Sequence, residues 1–416
     1  MGICALLAFG PLAFGAVQPW SICVLEVATS FLFVIWAVGE FFAGNFRVVP
    51  NPLYVPMTLF AGVVVLQVVL HRTAYWYATW SGAILWGSYA ILFFLVANIF
   101  GRREWLPAFG CFCIAFGFLL SLFAVVQQFT SNGKIYWVVT NRYGGWIYGP
   151  YVNHAHYAGL MEMLVPFPII FAILRPNRLE RATFLFAAVV MGSTIFLSLS
   201  LGGMISFAAE MAVLSLVLIR TRRFARGEIL LLVLLCLALI GWLAWLRPTG
   251  LIERLARLSN PIRDAGATGR IAILRDSLRM LRERPILGWG LRTFPVVYPS
   301  FRSFFTNQWV NEAHNDYVQT IVETGIAGFS AAIAFLVLLC NEGIHNLRRW
   351  RSNNQYAFGL AAFLGCVGLM VHSLVDFNLQ IPANAAFFFS LSALVTSRPK
   401  KPGRAHLPPW PQGWQE

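Results

Sequence analysis

The residues best suited to chemistry in this 416-residue chain lie in "NEAHNDYVQTIVETGIAG", Asn311 to Gly328. His314, Asn315, Asp316, Gln319 and Glu323 stand together there, immediately before a long apolar run. An imidazole with an unperturbed pKa of about 6.5 can take a proton from an attacking hydroxyl near neutral pH. At helical spacing Asp316, Gln319 or Thr320, and Glu323 share one face, while His314, Tyr317, Val318 and Ile321 share another. The first face is expected to tie the helix to its neighbours, and the His314 end to open on an outer cavity.

A second group precedes it. Eleven arginines and not one lysine occur between Arg247 and Arg302. The planar, bidentate guanidinium suits phosphate or carboxylate recognition, and the competing reading is contact with anionic lipid headgroups. Arg270, beside Gly269 at the start of an expected helix, is the best candidate for a specific contact, because free N–H groups and the helix dipole favour an anion there.

Two other polar clusters belong to the same outer side. "NRYGGWIYGPYVNHAHYAGLMEM" carries Arg142, Asn153, His154, His156 and Glu162, and "VHSLVDFNLQIPAN" carries His372, Asp376 and Asn378. No histidine pair shows a tight ligand spacing with a carboxylate, so a hydrogen-bonded network lining a polar cavity is expected rather than a metal site. The seven cysteines all fall in apolar segments, which indicates neither a disulfide framework nor zinc.

The elements that position these residues follow from composition. With 58% hydrophobic and 12% charged residues the chain reads as an all-α integral membrane protein. Twelve spans are expected, near 1–17, 20–43, 53–70, 82–100, 105–127, 155–174, 182–200, 203–219, 228–246, 313–341, 356–376 and 379–397. They form one polytopic domain over 1–416, its start a retained span rather than a removed signal peptide. The net charge of +14 is mostly an orientation signal, since seventeen of the 31 basic residues sit in alternate short connections and in the tail. The positive-inside rule puts those connections and both termini in the cytoplasm and argues against nucleic-acid binding. Segments 128–154, 247–312 and 376–382 then face outward, and 398–416 reads as a disordered cytoplasmic tail.

Within the long loop, Ile271, Leu274, Leu278 and Leu281 recur at helical spacing beside Arg275, Arg279 and Arg282, with Pro285 as the stop. An amphipathic helix on the outer membrane surface is expected. A twelve-span transporter is the reading from another class, with Asp316, Glu323 and Asp376 as its path. Transporters usually show two related halves, and no such repeat is visible here.

"GRIAILRDSLRMLRERPILGWGLRTF" followed by "AHNDYVQTIVETGIAG" resembles the signature region of the bacterial O-antigen ligase and O-antigen polymerase superfamily. "PLAFGAVQPW", "YGPYVNHAHYAGLMEM" and "HSLVDFNLQIPANA" look like members of the same group, so the resemblance covers nearly the whole chain. It implies an inner-membrane glycosyltransferase of GT-C type, without a cofactor, with undecaprenyl-diphosphate-linked glycan as donor and a periplasmic site. The acceptor would be lipid A core, or a growing glycan for O-antigen or exopolysaccharide polymerases. His314 matches the family histidine and Arg270 the arginine that opens the amphipathic helix, while Asn315, Glu323, Gly325 and Gly328 complete the motif. One departure stands out: "SLSLGGMIS" puts Leu201 where many members have arginine. Either another arginine, such as Arg142 or Arg275, then meets the second phosphate charge, or the activity is altered or lost; Asn153, His156 and Asp376 are expected to support the cavity.

Overall fold

The computed structural model describes residues 1–44, 48–100, 105–141, 146–175, 177–220, 265–306, 309–350 and 356–397, together with 237, 240–242 and 245. These residues are mostly helical: α1 Gly2–Leu12, α2 Pro19–Phe42, α3 Tyr54–Val69, α4 Trp76–Ile99, α5 Leu106–Thr130, α6 His154–Leu164 and α7 Pro166–Leu174. They continue with α8 Arg178–Leu197, α9 Leu201–Arg220, α10 Ala265–Glu283, α11 Phe294–Val297, α12 Asp316–Trp350, α13 Tyr356–His372 and α14 Pro382–Val395. One small hairpin interrupts the helices, Lys134–Ile135 paired antiparallel with Val139–Thr140.

Among the described residues, seven segments are long and apolar enough to cross a membrane, with α6 and α7 counting as one, His154–Leu174. Four shorter apolar helices, α1, α3, α13 and α14, accompany them. The expected span 228–246 falls almost wholly outside the described residues, as do Arg142 and the tail 398–416. Several helices begin on proline, as at Pro19, Pro166 and Pro382, where the missing N–H would have lacked a partner anyway. Burial sorts the bundle. α6, α7 and α14 are almost entirely enclosed, whereas α2 exposes Val27, Phe31, Val34, Ile35 and Val38, as a helix facing lipid would.

The decisive local feature is a break inside α12. Gly325 has φ 65° and ψ −172°, a conformation essentially confined to glycine. It frees the carbonyls of Val322 and Glu323 and the N–H groups of Ile326 and Ala327 from their usual i→i−4 bonds. The outer loop satisfies all four: Trp289 N and Gly290 N donate to Val322 O (3.1 Å) and Glu323 O (2.9 Å). In return Ile326 N and Ala327 N donate to Pro285 O (2.8 Å) and Ile286 O (3.1 Å). Gln67, buried in α3, locks the joint by donating to Leu287 O and to Glu323 O (2.7 Å) and accepting from Leu291 N (3.2 Å).

The amphipathic helix exists as α10, and it meets protein through a face other than its apolar stripe. Ile273, Asp276, Ser277 and Met280 are buried, while Ile271, Leu274 and Leu278 are exposed. Polar residues can dock because Asp276 is saturated: it accepts from Arg279 (2.8 Å), Ser303 N (2.9 Å), Ser303 Oγ (3.1 Å) and Tyr298 OH (3.2 Å). Periodicity found the helix but could not say which of two faces meets protein.

Candidate functional site

The turn between α13 and α14 gathers the polar residues. The side chain of Asp376 is 4% exposed, and its Oδ1 lies 3.7 Å from His314 Nδ1 and 3.9 Å from His156 Nε2. These are electrostatic contacts, too long for hydrogen bonds. The Phe377 ring packs edge-on to both imidazoles, with centroids 5.0 Å from His314 and 4.6 Å from His156. Arg270 Nη1 donates to the neighbouring Val375 carbonyl (3.0 Å), and Asn315 Nδ2 donates to Leu374 O (2.7 Å). Three separate parts of the chain thus converge on residues 374–377.

His314 sits where the outer loop becomes α12. Its φ of 52° is left-handed, an uncommon conformation for a side-chain-bearing residue, and its side chain remains 31% exposed. Asn315 starts the helix by accepting from Val318 N (3.0 Å). Asp316 is buried and pinned to the turn: Ser373 Oγ (2.8 Å) and Leu379 N (3.0 Å) donate to its Oδ2, while its own N–H donates to Ser373 O (3.0 Å). With its neighbours fixed, the imidazole has Nδ1 toward Asp376, and its other nitrogen makes no hydrogen bond to the described residues.

The electrostatics of the turn favour a charged Asp376. Burial would raise its carboxyl, but His314 first, then His156, His372 and Arg270, outweigh burial and hold it below the usual carboxylate range. The ionised carboxylate faces Nδ1 of the His314 ring at 3.7 Å.

Other sequence-identified residues take supporting positions. Asn153 caps α6 by accepting from Ala155 N (2.9 Å), and His154 Nδ1 meets Ser198 O at 2.7 Å. Glu323 holds the outer loop, its carboxylate accepting from Arg292 N (2.8 Å) and Phe294 N (3.2 Å). Arg275 does not join Arg270. Five residues at about 100° each set the two about 140° apart around α10, and Arg275 is exposed. Arg142 lies outside the described residues. Leu201 opens α9 beside the same turn, since a β-carbon at Gly202 would stand 2.7 Å from His372 Nε2 and 3.0 Å from Val375 Cγ2.

Sequence reasoning missed Gln67 and the pairing of buried Glu162 with His372 (3.0 Å). A lone amide in "GVVVLQVVL" was the available signal for Gln67. Pairing across 210 residues leaves no local signal for the Glu162–His372 contact. A mostly apolar cavity of about 170 Å³ adjoins the first turns of α12, and its lining includes Arg292, Tyr317, Thr320 and Gln380.

Fold and site together suggest a multi-pass helical membrane protein with a polar cluster where the loop before α12 rejoins the bundle. Residues 186–333, from α8 to the middle of α12, match the family model described as O-Antigen ligase. The match covers about a third of the chain and supports the likeness to the O-antigen ligase and polymerase superfamily. The matched stretch contains Leu201, Arg270 and His314. No curated protein matches the chain.

Proposed function

We propose that this protein is a glycosyltransferase that moves a glycan from undecaprenyl diphosphate to an acceptor hydroxyl at the periplasmic face of the bacterial inner membrane. The observation that carries the reading is the convergence of Arg270 and His314 on consecutive residues of one turn, Val375 and Asp376.

In the reaction the acceptor oxygen attacks the anomeric carbon as the bond from that carbon to the diphosphate oxygen breaks. Configuration inverts, and the electron pair leaves on undecaprenyl diphosphate. The hydroxyl proton passes to the free nitrogen of His314, while Asp376 stabilises the resulting imidazolium. Arg270 offsets charge growing on the departing diphosphate, the electrostatic role of a preorganised donor. Leu201 supplies no second guanidinium, so Arg270 carries more of that charge than an arginine pair would, unless Arg142 contributes. The chemistry as written needs no metal or cofactor.

Ligase and polymerase differ only in the acceptor. Purified protein incubated with undecaprenyl-diphosphate oligosaccharide is expected to transfer glycan when a lipid A core acceptor is added, with free undecaprenyl diphosphate as co-product. Chain growth on the lipid carrier without added acceptor would instead identify a polymerase. No transfer under either condition would overturn the assignment.

A further inference from the structure

Helix α10 has three faces of different chemistry, and the described chain uses only one. Ile273, Asp276, Ser277 and Met280 dock it to the rest of the outer loop and to α12. Ile271 (56% exposed), Leu274 (38%) and Leu278 (49%) form a second, aliphatic stripe. Arg275, Arg279 and Arg282, all exposed, lie along one edge of that stripe, about 20° to 80° from Ile271 at about 100° per residue. Arg270 lies about 100° away on the opposite edge, where it reaches Val375 O.

Arg279 shares its charge with Asp276, but Arg275 and Arg282 make no side-chain bond to the described residues. Helix α10 also packs beside α12, one of the segments able to cross a membrane, and Arg270 ties it to the end of α13. Its free face is therefore held at the level where a bilayer meets water. An aliphatic stripe edged by cations is the pattern of a helix lying in that interface, the chains taking the leucines and the headgroups the guanidiniums. Arginine binds phosphate through two parallel N–H bonds, which a lysine cannot do.

We propose that α10 is seated in the adjoining leaflet with Arg275 and Arg282 on the phosphates of anionic phospholipids, so that lipid charge holds in register the helix that carries Arg270. The seating stands on geometry alone; its consequence for transfer rests on the reading of Arg270 as the donor clamp. On this account Arg275 is a lipid contact rather than a second donor ligand.

The test places a photo-crosslinking residue, Leu274→p-benzoylphenylalanine, in the full chain reconstituted in phosphatidylcholine vesicles with and without one-quarter phosphatidylglycerol. Adducts to phospholipid are expected, with phosphatidylglycerol enriched beyond its share. Arg275→Gln and Arg282→Gln should each lower the ratio of phosphatidylglycerol to phosphatidylcholine adducts by about fivefold. Adducts to peptides 246–264 of the same chain, or to a second copy, would overturn the seating. Phospholipid adducts without preference for phosphatidylglycerol would overturn the role of the arginines. If Arg270→Ala kept full transfer while the crosslinks stayed as expected, the clamp reading would fail and the seating would stand.

Discussion

Gly325 of α12 and Ile286 of the outer loop meet so closely that a β-carbon on Gly325 would stand 2.1 Å from the Ile286 carbonyl oxygen. The loop therefore occupies the break in the helix itself. That contact joins the arginine-rich segment to the helix that begins two residues after His314.

Gly325→Ala should be among the most destabilising single changes in the protein. It imposes a β-carbon both on a backbone conformation costing about 1 to 3 kcal/mol for other residues and on an occupied space. A lower thermal unfolding midpoint in detergent and new proteolysis between Pro285 and Arg292 are expected. Unchanged protection of that loop would refute the docking.

Gln67→Leu keeps volume but removes the amide that bonds Leu287, Glu323 and Leu291. Glu323 O keeps its bond from Gly290 N, and leaving Leu287 O and Leu291 N without the amide costs about 1 to 3 kcal/mol each. A total loss of about 2 to 4 kcal/mol is expected, with glycan transfer falling because the loop leading to His314 loosens. Transfer at the original rate with lowered stability would separate the two effects.

His314 can be tested for strain and chemistry together. Its left-handed φ favours glycine by about 1 kcal/mol over alanine, so His314→Gly should be at least as stable as His314→Ala. Both should lose transfer by roughly 10²-fold or more. Activity surviving in either variant would remove His314 from the mechanism.

Arg270→Ala should lower kcat/KM by about 10²- to 10³-fold, the cost of removing one aligned charge donor. Arg270→Lys should recover part of it, because charge is retained and the bidentate geometry is not. Steady-state kinetics of transfer distinguishes the two variants.

Stability should respond to pH in opposite directions at two carboxyls. Glu312 is partly covered as a residue, but its carboxylate turns inward to Gln319. Burial first, then the Glu323 carboxylate, push it up to about 8. Its folded value lies above the unfolded one, so the stability gained from a neutral Glu312 is complete below about pH 4.3 and lost as pH rises through about 8. Asp376 has the reverse sign: its contribution is present above about pH 3.9 and is lost on further acidification. Glu312→Gln should flatten the fall in unfolding midpoint toward alkaline pH, and Asp376→Asn the fall at the acid end. Profiles unchanged by either substitution would contradict these positions.

Much of the architecture was legible in the chain because lipid imposes long apolar runs, and the helices long and apolar enough to cross a membrane among the described residues follow those runs. The anchoring role expected of Asp316, Gln319 and Glu323 was readable too, because three- and four-residue steps define a helix face before anything packs on it. The partners were not readable. Asp316 finds Ser373 and Leu379, and Gln67 finds the loop 220 residues away.

The sequence by itself determined a largely helical chain with segments apolar enough to cross a membrane, and a stretch, with Arg270 and His314 inside it, that matches the O-antigen ligase family model. Local spacing and composition carry that information. Only the tertiary structure decided that both meet residues 375 and 376, that α10 docks through Asp276 and not Leu278, and that Arg275 faces away. Periodicity places a side chain on a face of its own helix, whereas what that face meets is fixed by contacts between segments that no local pattern records.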